Sequence, residues 1–186
     1  MNAAHAHLLI NHLPIMGAFL ALPLVALALW RRRDPGSLIA AVVVLTLSGM
    51  GALAALRTGE PAEEAVERLP GISEPAIETH EERAETATVL SVLAGVAGIG
   101  WLTLRRRETR VPQVAGAATL ALSLASAGAM AWTGSSGGPI HHEEIRDGTA
   151  ASAAAGSTHG DGSGEADGEA RQGDEGHERD ELHERD

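Results

Sequence analysis

Nine histidines and no cysteine set the chemistry open to this 186-residue chain. His5, His7 and His12 open the first apolar stretch, His80 precedes the third, and His141 and His142 follow the fourth. Imidazole is the commonest metal ligand and the side chain that titrates nearest neutral pH, so histidines gathered at one surface suit a metal, a heme or a proton site. Carboxylates stand beside them: Glu81 follows His80, and Glu143 and Glu144 follow His142. The lack of Cys excludes disulfides, thiolate zinc sites, cysteine-ligated iron–sulfur clusters and covalent heme attachment. Any metal is left to His, carboxylate, amide or Met ligands.

The elements that must position these groups are four apolar stretches, 8–30, 37–56, 84–104 and 111–133, each almost free of charge. As a helix the first would span roughly 34 Å at 1.5 Å per residue, enough for a bilayer. All four are apolar around their whole circumference, as helices immersed in lipid are. Arg31–Arg33 follow the first stretch and Arg105–Arg107 the third, and the positive-inside rule places both loops in the cytoplasm. Both chain ends, the histidines and the 57–83 segment then lie outside. Trp30 and Trp101 stand at the arginine side and Trp132 at the other, where interfacial indoles are expected. A cleavable signal peptide needs its positive charge before a shorter apolar run, so the first stretch reads as an uncleaved span. The expected fold is an all-α integral membrane four-helix bundle over 1–146, in the cytoplasmic membrane, with both termini extracytoplasmic.

The 57–83 segment reads as structured. Pro61 suits the first turn of a short outer helix over 62–68, closed by Leu69-Pro70-Gly71. Ser73 suits an N-cap, with Glu74 and Pro75 in the first turn of a helix that runs through His80 into the third span. At the N-terminus, Asn11 suits a cap for the first span with Pro14 in its first turn, leaving His7 in an extended arm. Gly137-Gly138 suit a tight return turn after the fourth span. The region 147–186 is Ala, Gly, Ser, Asp and Glu with almost no large apolar side chain, and is expected to be a disordered acidic tail. Small residues fill the span interiors: Ser48, Gly49, Gly51, Ala52, Ser91, Gly95, Gly98, Gly116, Ser123 and Gly128. They fit close helix packing and a flat cofactor equally well.

The net charge is −11. The two arginine loops carry seven Arg against two acids, and no basic face remains for nucleic acid. Each histidine also has a plainer explanation: interfacial His is commonly a hydrogen-bonded structural residue, and His80-Glu81-Glu82 suits a solvated helix face. The case for a site is convergence, because three separate segments deliver imidazoles to one surface.

Three stretches carry a family resemblance: HLLINHLPIMG from His7, TGEPAEEAVERLPGISEPAIETHEE from Thr58, and TGSSGGPIHHEEI from Thr133. The chain resembles the uncharacterised four-helix membrane proteins grouped as domain of unknown function 2231. The resemblance implies that His7, His12, His80 and His142 are the family's positions, with Pro14, Gly59, Gly138 and Glu144. It departs from the pattern at Leu8, Asn11 and Leu13, where many members have HP and VHFP, and at His141, where a basic residue is usual. Some relatives are joined to c-type cytochrome or Rieske-type domains, which implies a redox context.

The leading expectation is a histidine-ligated b-type heme protein for electron transfer at the outer surface. His7, His12, His80 and His142 are the candidate ligands, for one or two hemes, and His5, His141, Glu81 and Glu144 are secondary. A quinone, a c-type cytochrome or a Rieske-type protein is the implied partner. The second expectation is a His/Glu site for copper, zinc or iron. The third is a structural membrane subunit, and a hydrolase is disfavoured because no nucleophile motif is present.

Overall fold

A computed structural model describes residues 2–31, 34–67, 69–107 and 110–141, and side chains through residue 140. Its elements are α1 (Ala3–Ile10), α2 (His12–Trp30), α3 (Pro35–Val66), α4 (Glu74–Leu104) and α5 (Val111–His141). No strand occurs among the described residues. Four helical segments, the first comprising α1 and α2 together, are long and apolar enough to cross a membrane. The chain is thus a multi-pass membrane protein by length and composition. Leu20, Val43, Val96 and Leu124, one from each segment, are exposed on the bundle surface as lipid-facing side chains would be.

Local chemistry starts each helix. The Asn2 side chain accepts from the His5 amide at 2.9 Å and caps α1. Asp34 caps α3 through the Gly36 and Ser37 amides, and the Gly36 bond foremost holds its carboxyl below the ordinary range. Pro35 occupies the first turn, where its missing N–H costs nothing. Gly71, at φ 84°, makes the turn between α3 and α4 in backbone space that glycine enters freely. Ser73 stands at the N-cap of α4, as its sequence position suggests, but its side chain makes no capping bond. Its amide instead donates to the Ile140 carbonyl at 3.2 Å.

The helices pack α2 on α3, α3 on α4, α4 on α5, and α5 back on α2, with α1 against α3. Small residues let the backbones close. A Cβ on Gly17 would stand 2.8 Å from the Ser48 Cβ, and one on Gly49 3.3 Å from the Ser91 carbonyl oxygen. Ser48 donates to the Pro14 carbonyl at 3.0 Å, and the Ser91 and Ser126 hydroxyls meet at 2.7 Å. Close packing therefore accounts for Ser48, Gly49, Ser91 and Gly95, while nothing lies within 4 Å of a Cβ at Gly128. Ala21, Val25, Ala41, Leu45 and Ala94 build the deep core.

Three expectations change. Residues 62–66 are not a separate outer helix but the end of α3, which runs without a break through Gly59 and Pro61. An interior proline costs about 3 kcal/mol; burial of Ala62 and the packing of α3 on α4 offset it. Gly137-Gly138 are not a return turn, because α5 continues to His141 alongside the start of α4. The Asn11 side chain does not cap α2: the residue sits in a helical conformation between α1 and α2, its amide closes α1 on the His7 carbonyl, and His7 is helical. Trp101 is buried within the bundle, packed into the gap left by Gly116.

Candidate functional site

Each of the longer helices, at 31 or 32 residues, is roughly 46–48 Å long, about 16 Å more than a hydrocarbon core. The apolar stretches cover only part of that length. The excess of α3, α4 and α5 collects at the histidine end, and that of α3 and α4 carries the acids. The site lies there, at the outer ends of the spans, with His7, Glu63 and His80 just beyond 8–30, 37–56 and 84–104.

His7 projects from α1 onto α3. Its Nδ1 lies 3.1 Å from the Ala55 carbonyl and 3.1 Å from the Thr58 hydroxyl. A carbonyl only accepts, so Nδ1 carries the proton and donates. Thr58 Oγ1 in turn donates to the Ala55 carbonyl at 3.0 Å, closing a triangle. A Cβ on Gly59 would stand 4.0 Å from the His7 Cε1, so the ring lies along a bare stretch of helix.

His80 repeats this arrangement between α4 and α5. Its Nδ1 lies 3.1 Å from the Thr133 carbonyl and 3.1 Å from the Ser136 hydroxyl, and Ser136 Oγ donates to the Thr133 carbonyl at 2.7 Å. A Cβ on Gly137 would stand 3.6 Å from the His80 Cε1. In both triangles the hydroxyl lies three residues beyond the carbonyl and the glycine four beyond it.

The consequence is chemical. With the proton fixed on Nδ1, Nε2 of each ring keeps its lone pair and is a ligand or acceptor. Neither Nε2 is seen to bond another described residue, and both rings line a cavity. Burial pushes both imidazoles below their ordinary pKa, against the opposing effect of the carbonyl bonds, so they favour the neutral form. His12 is held differently: its Nδ1 meets the Leu8 carbonyl of its own chain segment at 2.6 Å, and the ring is exposed.

His7, His12 and His80 all line one cavity of about 700 Å³, a size typical of small-molecule and cofactor sites. Gly59, Ala84, Met130 and Gly137 give it smooth apolar walls, and Glu60, Glu63, Glu81 and Glu85 stand at its acidic side. Burial first, then a hydrogen bond and the charge of Glu81, push the Glu63 carboxyl above its ordinary range. Asn11 also lines the cavity, and its Oδ1 is buried without a donor among the described residues. Arg83 closes the neighbouring surface by stacking on Trp132, 4.6 Å from the ring centroid.

Of the sequence candidates, the structure brings His7, His12, His80 and Glu81 to this cavity, together with Pro14, Gly59 and Gly138. His5 does not line it. His142, Glu144 and the tail 147–186 lie outside the described residues, as does the side chain of His141. Sequence reasoning missed the anchoring groups Thr58, Thr133 and Ser136, and it missed Glu63. A signal was present: Thr58-Gly59-Glu60-Pro61 and Ser136-Gly137-Gly138-Pro139 share one pattern. Among the described residues, no three His, Asp or Glu side chains converge closely enough to hold a metal ion.

No family model matches the chain, and neither a curated protein nor a solved structure matches it.

Proposed function

We propose that the cavity binds b-type heme and that the protein is an electron carrier at the outer face of the cytoplasmic membrane. One observation carries this reading: His7 and His80, from different helices, each have Nδ1–H tied to a carbonyl and Nε2 open beside the same roomy cavity. Axial heme ligation needs neutral imidazoles held in one tautomer, and second-partner hydrogen bonds of this kind supply both. Glycine and alanine walls suit a flat macrocycle, and a chain without Cys suits noncovalent attachment. When bound, heme supplies a one-electron couple. The residues of the chain hold the ligand nitrogens, exclude water from the inner wall, and surround the site with negative charge.

A bare copper, zinc or iron site is the second reading, favoured by the four carboxylates at the cavity but not by the spacing of its ligands. His12 and His142 remain candidates in either case. The arginine loops, placed in the cytoplasm by the positive-inside rule, would set both termini outside and open the cavity toward a periplasmic cytochrome, a Rieske-type protein or a quinone. Membership of the domain of unknown function 2231 family is part of the same proposal, resting on the three quoted stretches.

The deciding experiment is a dithionite-reduced minus oxidised spectrum of the purified protein, with a pyridine hemochrome assay. A Soret band and reduced α-band are expected. A colourless protein that carries stoichiometric metal would replace heme with the metal site.

A further inference from the structure

The His7 and His80 anchors are alike because the helices that carry them are alike. Ser48 and Ser126, Ala55 and Thr133, Thr58 and Ser136, Gly59 and Gly137, and Pro61 and Pro139 all pair at one constant offset along the chain. The resemblance is structural as well. Ser48 and Ser126 each bond the preceding helix, through Pro14 and Ser91. Thr58 and Ser136 each donate to the carbonyl three residues back and share the Nδ1–H of a histidine in the preceding membrane-crossing segment. Each histidine-bearing segment leads in sequence to a tryptophan and an arginine triplet. The packing agrees, since exchanging α2 with α4 and α3 with α5 maps the α3–α4 contact onto the α5–α2 contact.

We infer that the membrane domain is a tandem repeat of one helical hairpin, and that its cavity is a two-fold site in which Nε2 of His7 and Nε2 of His80 are the paired donors to a single planar ligand. The inference rests on the heme reading and narrows it. Both hairpins run in the same direction through the bilayer, so a pseudo-two-fold axis along the membrane normal relates them. Such an axis sets equivalent groups across from each other at one end of the bundle. Each hairpin supplies one anchored imidazole to the shared cavity, which provides two donors for one ligand. Two separate hemes would each need a further donor of equal quality. His12 does not fill that role: its counterpart in the second hairpin is Glu85, and its Nδ1 is tied to its own segment. The rings of His7 and His80 are therefore the matched pair, with Thr58 and Ser136 as positioning residues.

The full chain in detergent tests this by heme stoichiometry, visible spectra and electron paramagnetic resonance of the ferric state. The wild type and the variants His7→Ala, His80→Ala and His12→Ala are titrated with hemin, and circular dichroism checks each fold. One heme per chain with a low-spin, bis-imidazole signal is expected. His7→Ala and His80→Ala should each abolish that signal and weaken binding at least tenfold, by factors within about threefold of each other, with low-spin character restored by added imidazole. His12→Ala should keep the signal. If an alanine variant does not fold, His7→Met and His80→Met are read instead, and each should shift the signal to a mixed His/Met type. Two hemes per chain, loss in only one of the His7 and His80 variants, or loss in His12→Ala overturns the two-fold site and leaves heme binding standing. A wild type that neither carries heme nor takes it up overturns both.

Discussion

The indole of Trp101 fills the space that a side chain on Gly116 would need: a Cβ there would stand 2.9 Å from the ring atoms Cε2 and Cζ2, and 2.7 Å from Leu29 Cδ2. Three helices meet at that point, and the rigid Trp101 ring must shift to admit a Cβ. Gly116→Ala should overpack the core and destabilise the domain by about 1–3 kcal/mol. Thermal unfolding in detergent, followed by circular dichroism, should show a clear fall in Tm. Gly128→Ala is the control, because its Cβ meets nothing.

At the site, glycine size should matter in steps. A Cβ at Gly59 or Gly137 would make only ordinary contact with the imidazole, at 4.0 and 3.6 Å. Gly59→Ala and Gly137→Ala should therefore retain ligand binding, while Gly59→Leu and Gly137→Leu should fill the cavity wall and lower heme occupancy severalfold at unchanged expression. The pyridine hemochrome yield per chain measures this.

Acid should weaken the fold through His7 and His80. Burial holds both below the ordinary imidazole value of about 6.5. Unfolded chains then bind protons at a higher pH than folded ones. Stability is full above about pH 6.5 and is lost as the pH falls through that value toward the folded-state pKa. The apo protein should show a Tm that is flat from pH 8 to 7 and declines toward pH 5. The double variant His7→Gln/His80→Gln should flatten that decline; an unchanged slope would remove these two imidazoles as its cause.

The acidic side of the cavity should set the potential. Ferric heme carries one more positive charge than ferrous, so nearby carboxylates favour the oxidised form and lower the midpoint. Glu81→Gln should raise the midpoint by some tens of millivolts, where about 59 mV corresponds to a tenfold change for one electron. Redox titration of the loaded protein reads this directly.

The orientation can be read in cells because the chain has no native cysteine. Single cysteines at Ile72 and at Gly36 should differ: a membrane-impermeant maleimide should label the first in intact cells and the second only after lysis. The reverse pattern would invert the topology.

Much of the fold was legible from residue types alone. Apolar stretches of bilayer length and their flanking arginines announced four membrane-crossing helices, and Ser73 marked the start of α4. The ends were misread where local signals met long-range packing. Pro61 and Gly137-Gly138 are breakers in isolation, yet α3 and α5 run through them because α4 extends just as far beyond the apolar layer and offers them a surface. The site was legible in its imidazoles but not in its anchors. Thr58, Thr133 and Ser136 are ordinary polar residues in sequence, and only the fold shows that they fix two tautomers. The paired Thr/Ser-Gly-x-Pro motifs were visible throughout, but two short matches gain meaning only once their helices are seen to hold equivalent histidines.

The junction between α3 and α4 separates His7 from His80, and each ring is tied to its own hairpin. A molecule gripped by both nitrogens would therefore act as a clasp between two halves of the bundle. Occupancy and the association of the hairpins become one linked equilibrium, so stability should rise with the logarithm of free ligand above its Kd. Newly inserted chains would close fully only when supplied, and the cell's stock of cofactor would govern how much of this protein survives.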